Sequence, residues 1–67
     1  MLTSPLTIRQ KEILKLLAEG DCYKEIAVRL GVTHSTVKNT LFNIVQRLEA
    51  RSTMEVLATA LRKGWIA

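Results

Sequence analysis

Apolar residues recur along this chain at intervals of three and four, in blocks separated by glycine or short polar stretches. That spacing marks amphipathic helices, because strands would alternate in twos. The first block predicts a helix over residues 8–19, with Ile13, Leu14, Leu17 and Ala18 on one stripe. Thr7 is a suitable N-cap, Gln10 stands where a capping box needs it, and Gly20 can end the helix. The second block predicts a helix over residues 23–30, with Ile26, Ala27 and Leu30 inward. Lys24, Glu25 and Arg29 face outward, and Glu25 and Arg29 have the spacing of a favourable ion pair.

The third block predicts a helix over residues 34–48, capped by Thr33. Val37, Leu41, Ile44 and Leu48 form its single buried seam, and Ser35, Lys38, Asn39, Phe42, Asn43 and Gln46 its other face. The fourth predicts a helix over residues 53–63, with Ser52 and Glu55 as a second capping box. Arg62 and Lys63 suit the negative end of the helix dipole, Gly64 stops it, and Trp65 and Ile66 can fold back as an apolar tail. The expected fold is all-α: four helices in one domain over residues 6–67, behind a short arm of residues 1–5.

Composition narrows the function. A chain of 67 residues holds one domain at most and buries only about 60% of its unfolded surface. With one cysteine and one histidine, neither an internal disulfide nor a structural zinc site can form. No metal or cofactor is expected. Cys22 reads as a reduced thiol, which suits a cytoplasmic protein. No apolar run approaches the roughly 18 residues of a membrane span, so no membrane partner is expected. The first residues lack the charged start and apolar core of a signal peptide. No nucleophile, base and acid are spaced for catalysis, no Gly-rich loop could cradle phosphate, and His34 has no evident partner. The chain is therefore read as a non-enzyme with no catalytic residue.

The charge distribution points to a polyanion. The formal net charge is +4. Residues 1–22 are neutral overall, residues 23–51 carry the excess of bases, and residues 33–48 hold Lys38 and Arg47 with no acid. The two helices joined by Gly31-Val32-Thr33 also have the form of a helix-turn-helix. Ala27, four residues before Gly31, is small enough to let them cross closely. The second helix of such a unit enters the DNA major groove. On it, Lys38 can donate to guanine or phosphate, Asn39 can pair with adenine, and Phe42 can touch a thymine methyl. Thr33, Ser35, Thr36, Asn43 and Arg47 can bond backbone phosphates. The same polar residues also fit an ordinary solvated face, and a shift of one position in helical phase would make Phe42 core.

Taken together, these residues resemble the LuxR-type helix-turn-helix family, the DNA-binding domain of many bacterial transcription regulators. The resemblance runs from Leu6 to Ile66 through Glu12-Ile13-Leu14, Leu17-Ala18-Glu19-Gly20, Lys24-Glu25-Ile26-Ala27, Thr36-Val37-Lys38, Asn43-Ile44, Ala60-Leu61 and Gly64. It implies a four-helix domain that binds specific double-stranded DNA and often forms a homodimer through its last helix. It places Lys38, Asn39 and Phe42 at base-facing positions, and Lys24, Thr36, Asn43 and Arg47 at backbone-contacting ones. The ridge Met54, Leu57, Ala58, Leu61 and Trp65 is the candidate dimer surface, with intramolecular core as its other reading. RNA polymerase or a regulatory protein would be further partners of such a regulator.

The chain departs from the family at several places. It has Gln10 for a usual Glu, Cys22-Tyr23 for Ser-Asn, Thr40 for a frequent His, and Thr53-Met54 for Arg-Thr. Cysteine is a poorer N-cap than serine, so a weaker start to the second helix is expected. Gln10 and Tyr23 also resemble region 4 of bacterial sigma factors, the alternative promoter-binding reading, against which the fourth helix argues. A third reading is a protein-interaction adaptor on the same scaffold. In the family this domain often follows a phosphorylation receiver or a ligand-binding domain. The chain is read as a stand-alone regulator or as part of a larger one.

Overall fold

The computed structural model describes residues 4–67. The part of the expected arm formed by residues 1–3 lies outside them. Four helices follow in order: α1 (Ile8–Ala18), α2 (Tyr23–Leu30), α3 (His34–Arg47) and α4 (Thr53–Arg62). Every helix begins where the sequence places it. α1, α3 and α4 end one residue earlier than expected, with Glu19, Leu48 and Lys63 as their C-caps.

The caps explain the starts. Gln10 N–H donates to Thr7 Oγ1 at 3.1 Å, and Thr7 N–H donates back to Gln10 Oε1 at 2.9 Å. This reciprocal pair satisfies two helix-end donors at once. At α4 the expected box is only half made. Glu55 N–H donates to Ser52 Oγ at 3.2 Å, but the Glu55 carboxylate turns to Arg51, accepting from its N–H at 2.9 Å and its Nε at 3.0 Å. A guanidinium close by gives the carboxylate a charged donor that the Ser52 backbone cannot match.

α2 starts at Tyr23 as the pattern predicts, and Glu25 Oε1 accepts from Cys22 N–H at 2.8 Å. The expected Glu25–Arg29 pair gives way to another: Arg29 Nε lies 2.7 Å from Asp21 Oδ2 in the loop between α1 and α2. Arg29 thus ties α2 to the loop before it. Asp21 is mostly buried, whereas Glu25 is exposed and one of its carboxylate oxygens is taken up by Cys22 N–H.

Backbone bonds to Cys22 pull the Glu25 carboxyl below its ordinary range, and bonds to the Arg51 backbone and side chain do the same to Glu55. A carboxyl whose folded pKa is depressed adds stability above its unfolded value and loses it as pH falls through the folded value. The advantage of the natural chain over Glu25→Gln should therefore shrink on acidification through the carboxylate range. Thermal melts of both proteins across that range check it. A difference that ignores pH would mean that the Glu25 charge plays no part.

The core forms where the four apolar faces meet. It contains Leu6, Ile13, Leu14, Ile26, Ala27, Val37, Leu41, Ile44, Val56, Leu57, Ala60 and Ile66. α3 is central and packs against all three other helices, most extensively against α2. Ala18 does not join the α1 stripe: it is exposed, while Leu16 packs partly against the core. The tail folds back as expected. Trp65 N–H donates to the Ala60 carbonyl at 2.8 Å, Ile66 is buried and Trp65 is partly buried.

Candidate nucleic-acid interface

The interface is built on the turn between α2 and α3. Gly31 has φ +68°, in the left-handed region that costs glycine nothing and other residues strain. Val32 N–H returns to the Ala27 carbonyl at 3.0 Å, closing the end of α2. Two residues later Thr33 caps α3, with Thr36 N–H donating to Thr33 Oγ1 at 3.1 Å. Ala27 is buried at the α2–α3 junction, where a small side chain permits a close crossing. The rings of Tyr23 and His34 also meet there, with centroids 6.0 Å apart and planes at 46°. That geometry is an ordinary aromatic contact, and it joins the first residues of the two helices.

The buried seam sets the rotation of α3. Val37, Leu41 and Ile44 are 0%, 2% and 1% exposed. At roughly 100° per residue, Ser35, Asn39 and Gln46 fall opposite that seam. Lys38 and Phe42 fall on one shoulder, and Thr36, Asn43 and Arg47 on the other. All eight are exposed. Phe42 is 61% exposed, which selects the contact-surface phase over the core phase left open by periodicity. The ring stands alone among polar neighbours on a face that holds no acid.

The residues expected on the backbone side lie in the same region of the fold. Thr33 and Ser35 are exposed at the start of α3, and Lys24 is exposed in the first turn of α2. The Thr33 and Thr36 hydroxyls are 2.8 Å apart. One of their two protons is spent on that bond, so the pair keeps a single hydroxyl proton to donate elsewhere. Thr40 turns inward along its helix instead, donating to the Thr36 carbonyl at 2.8 Å.

The α4 ridge divides. Leu57 is 9% exposed and belongs to the core, so it is not available to a partner without unpacking the domain. Met54 and Leu61 are 72% and 46% exposed, Ala58 is exposed and Trp65 is partly buried. Met54, Ala58 and Leu61 recur at i, i+4 and i+7, which aligns them on one outward stripe. The sequence reading missed Val56, a fully packed α4 core residue beside Leu57. Its signal was present, since Val56 and Ala60 are four apart.

No group of three or more side chains able to hold a metal ion comes together among the described residues. A shallow depression on the outer face of α2, lined by Lys24, Glu25, Val28 and Arg29, is open to solvent. No described helix is long and apolar enough to cross a membrane.

A tight α2–turn–α3 unit, with α3 held by three helices and its outer face basic and exposed, defines a helix-turn-helix DNA-binding domain. Comparison with known proteins places it further. The chain belongs to the luxR family of bacterial regulatory proteins, whose family model matches residues 4–60. The family is one of transcription factors, so the domain is not an enzyme.

YvfU, an uncharacterized transcriptional regulatory protein of Bacillus subtilis strain 168, is 41% identical over 63 residues, covering 94% of this chain and 32% of its own. The transcriptional regulatory protein DesR of the same strain is 40% identical over 62 residues, covering 92% of this chain and 31% of its own. The spore germination protein GerE, also of that strain, is 34% identical over 59 residues and is covered over 80% of its length. A solved structure of the transcription factor GerE superposes with a TM-score of 0.91 at 31% identity, over 97% of both chains. The chain spans about a third of the length of YvfU and DesR.

Proposed function

We propose that this domain binds specific double-stranded DNA in the cytoplasm as part of a bacterial transcription regulator, with α3 in the major groove. The observation that carries this reading is the outer face of α3: wholly exposed, free of acids, and carrying one large apolar ring on its Lys38 shoulder. Lys38, Asn39 and Phe42 face bases, while Lys24, Thr33, Ser35, Thr36, Asn43 and Arg47 fix register on the phosphates. Phosphate contacts make affinity fall with salt, and base contacts make it depend on sequence. RNA polymerase or a regulatory protein would be contacted by surfaces other than this face.

Two copies pair on a two-fold axis through α4. The exposed stripe of Met54, Ala58 and Leu61, with the partly buried Trp65 beyond it, supports this pairing. A symmetric dimer calls for an inverted repeat with half-sites about 10 bp apart. Selection of binding sites from a random duplex library tests both parts. An inverted repeat supports reader and dimer together, and an isolated half-site supports the reader alone. The absence of any enriched sequence would count against both.

Leu61→Glu separates the dimer from the fold. Leu61 is 46% exposed, so a charge there leaves the core intact. A folded variant that sediments at half the mass of the natural protein is expected. An unchanged mass would remove α4 as the pairing surface.

A further inference from the structure

The exposed face of α3 extends past the residues assigned above. Gln46 lies opposite the buried seam of Val37, Leu41 and Ile44, on the same meridian as Ser35 and Asn39. It stands one turn beyond Phe42 and two turns beyond Asn39. Its side chain is exposed and takes no part in the hydrogen bonds that hold the described residues together, unlike Gln10, whose carboxamide is consumed by a cap. The geometry points to Gln46 as a further specificity-determining residue, pairing through its carboxamide with an adenine in the major groove. This inference rests on the reading of α3 as the groove-binding helix.

Three physical features carry it. The first is reach. Residues late in a recognition helix generally sit further from the bases than early ones. Helical side chains lean toward the N-terminus, however, so a long side chain covers the turn before its own Cα. The Gln46 carboxamide therefore serves the level of Phe42 and Asn43, which the proposed interface already sets against the DNA.

The second is spacing. Seven residues at 1.5 Å of rise separate Asn39 from Gln46 by roughly 10 Å, about the rise of three stacked base pairs. The two amides can then address different base pairs without competing. The third is chemistry. A carboxamide offers one donor and one acceptor side by side, matching adenine N7 and N6 and no other major-groove edge as well. The absence of acids from residues 33–48 keeps this end of the helix compatible with a phosphate-lined groove.

The test compares binding sites selected from one random duplex library by the natural chain, Gln46→Ala and Gln46→Glu. The natural chain should enrich a motif with an adenine at one position. Gln46→Ala should lose preference at that position alone, with discrimination falling about 5- to 150-fold, while the other positions keep theirs. Gln46→Glu, which only accepts, should shift the same position toward cytosine. A Gln46→Ala motif identical to that of the natural chain overturns the inference while leaving α3 as the reader. If the natural chain enriches no motif, the reading of α3 itself fails. Because Gln46 is exposed, both variants should melt with the natural protein, which separates readout from folding.

Discussion

Replacing Leu41 by alanine is expected to destabilise the domain by about 2–5 kcal/mol. Leu41 is 2% exposed on the central helix, which packs against all three others. Losing its branched end removes apolar burial and leaves a cavity that four short helices cannot easily close. A domain of this length has a total stability of roughly 3–10 kcal/mol, so this one change takes a large share of it. Urea unfolding followed by circular dichroism gives the value. Phe42→Ala is the matched control, because Phe42 is adjacent in sequence but 61% exposed. It should cost well under 1 kcal/mol, as exposed positions do. Equal losses at both positions would mean that the helical phase assigned to α3 is wrong, and with it the composition of the DNA-facing surface.

Lys38→Ala is expected to weaken binding to the selected DNA site by about 1–3 kcal/mol while leaving stability unchanged. Lys38 is exposed on the shoulder of α3 shared with Phe42. If it reads a guanine edge, the loss is confined to sites carrying that base, and the salt dependence barely alters. If it neutralises a phosphate, affinity falls evenly across all sequences and the salt slope becomes shallower by about one. Titration of matched and mismatched duplexes at several salt concentrations distinguishes these outcomes. Full affinity and unchanged base preference would exclude Lys38 from the interface.

Both predictions depend on a feature legible in the residues themselves, the rotation of α3. Val37, Leu41, Ile44 and Leu48 define one seam whatever the surroundings, and a helix has only one way to orient the rest. Periodicity by itself left Phe42 open to two phases, and its exposure in the fold selects one. Capping was legible too wherever it is local. Thr7–Gln10 and Thr33–Thr36 bond within one turn, so the chemistry is complete in four consecutive residues.

Misreadings arose where a side chain had a choice of partners. Arg29 has the spacing to meet Glu25 but reaches Asp21, and Glu55 turns from the Ser52 backbone to Arg51. Such competitions depend on where a loop lies and how much water surrounds each partner, which spacing does not record. Glu49 is a similar case. It adopts φ +53° after α3, a left-handed residue with no glycine to announce it, and Ala50 N–H closes on the Val45 carbonyl at 2.9 Å.

By itself, then, the order of residues determined the four helices, their starts, the buried seam of α3 and the acid-free face opposite it. These follow from periodicity, short-range hydrogen bonding and charge, all of which act within a turn or two. Only the tertiary structure decided which α4 residues are spent inside the domain and which remain for a partner. Leu57 and Leu61 are a single turn apart on one apolar helix, yet one is core and the other half-exposed. An amphipathic pattern gives the direction of burial but not its depth, because depth depends on how closely the neighbouring helices approach.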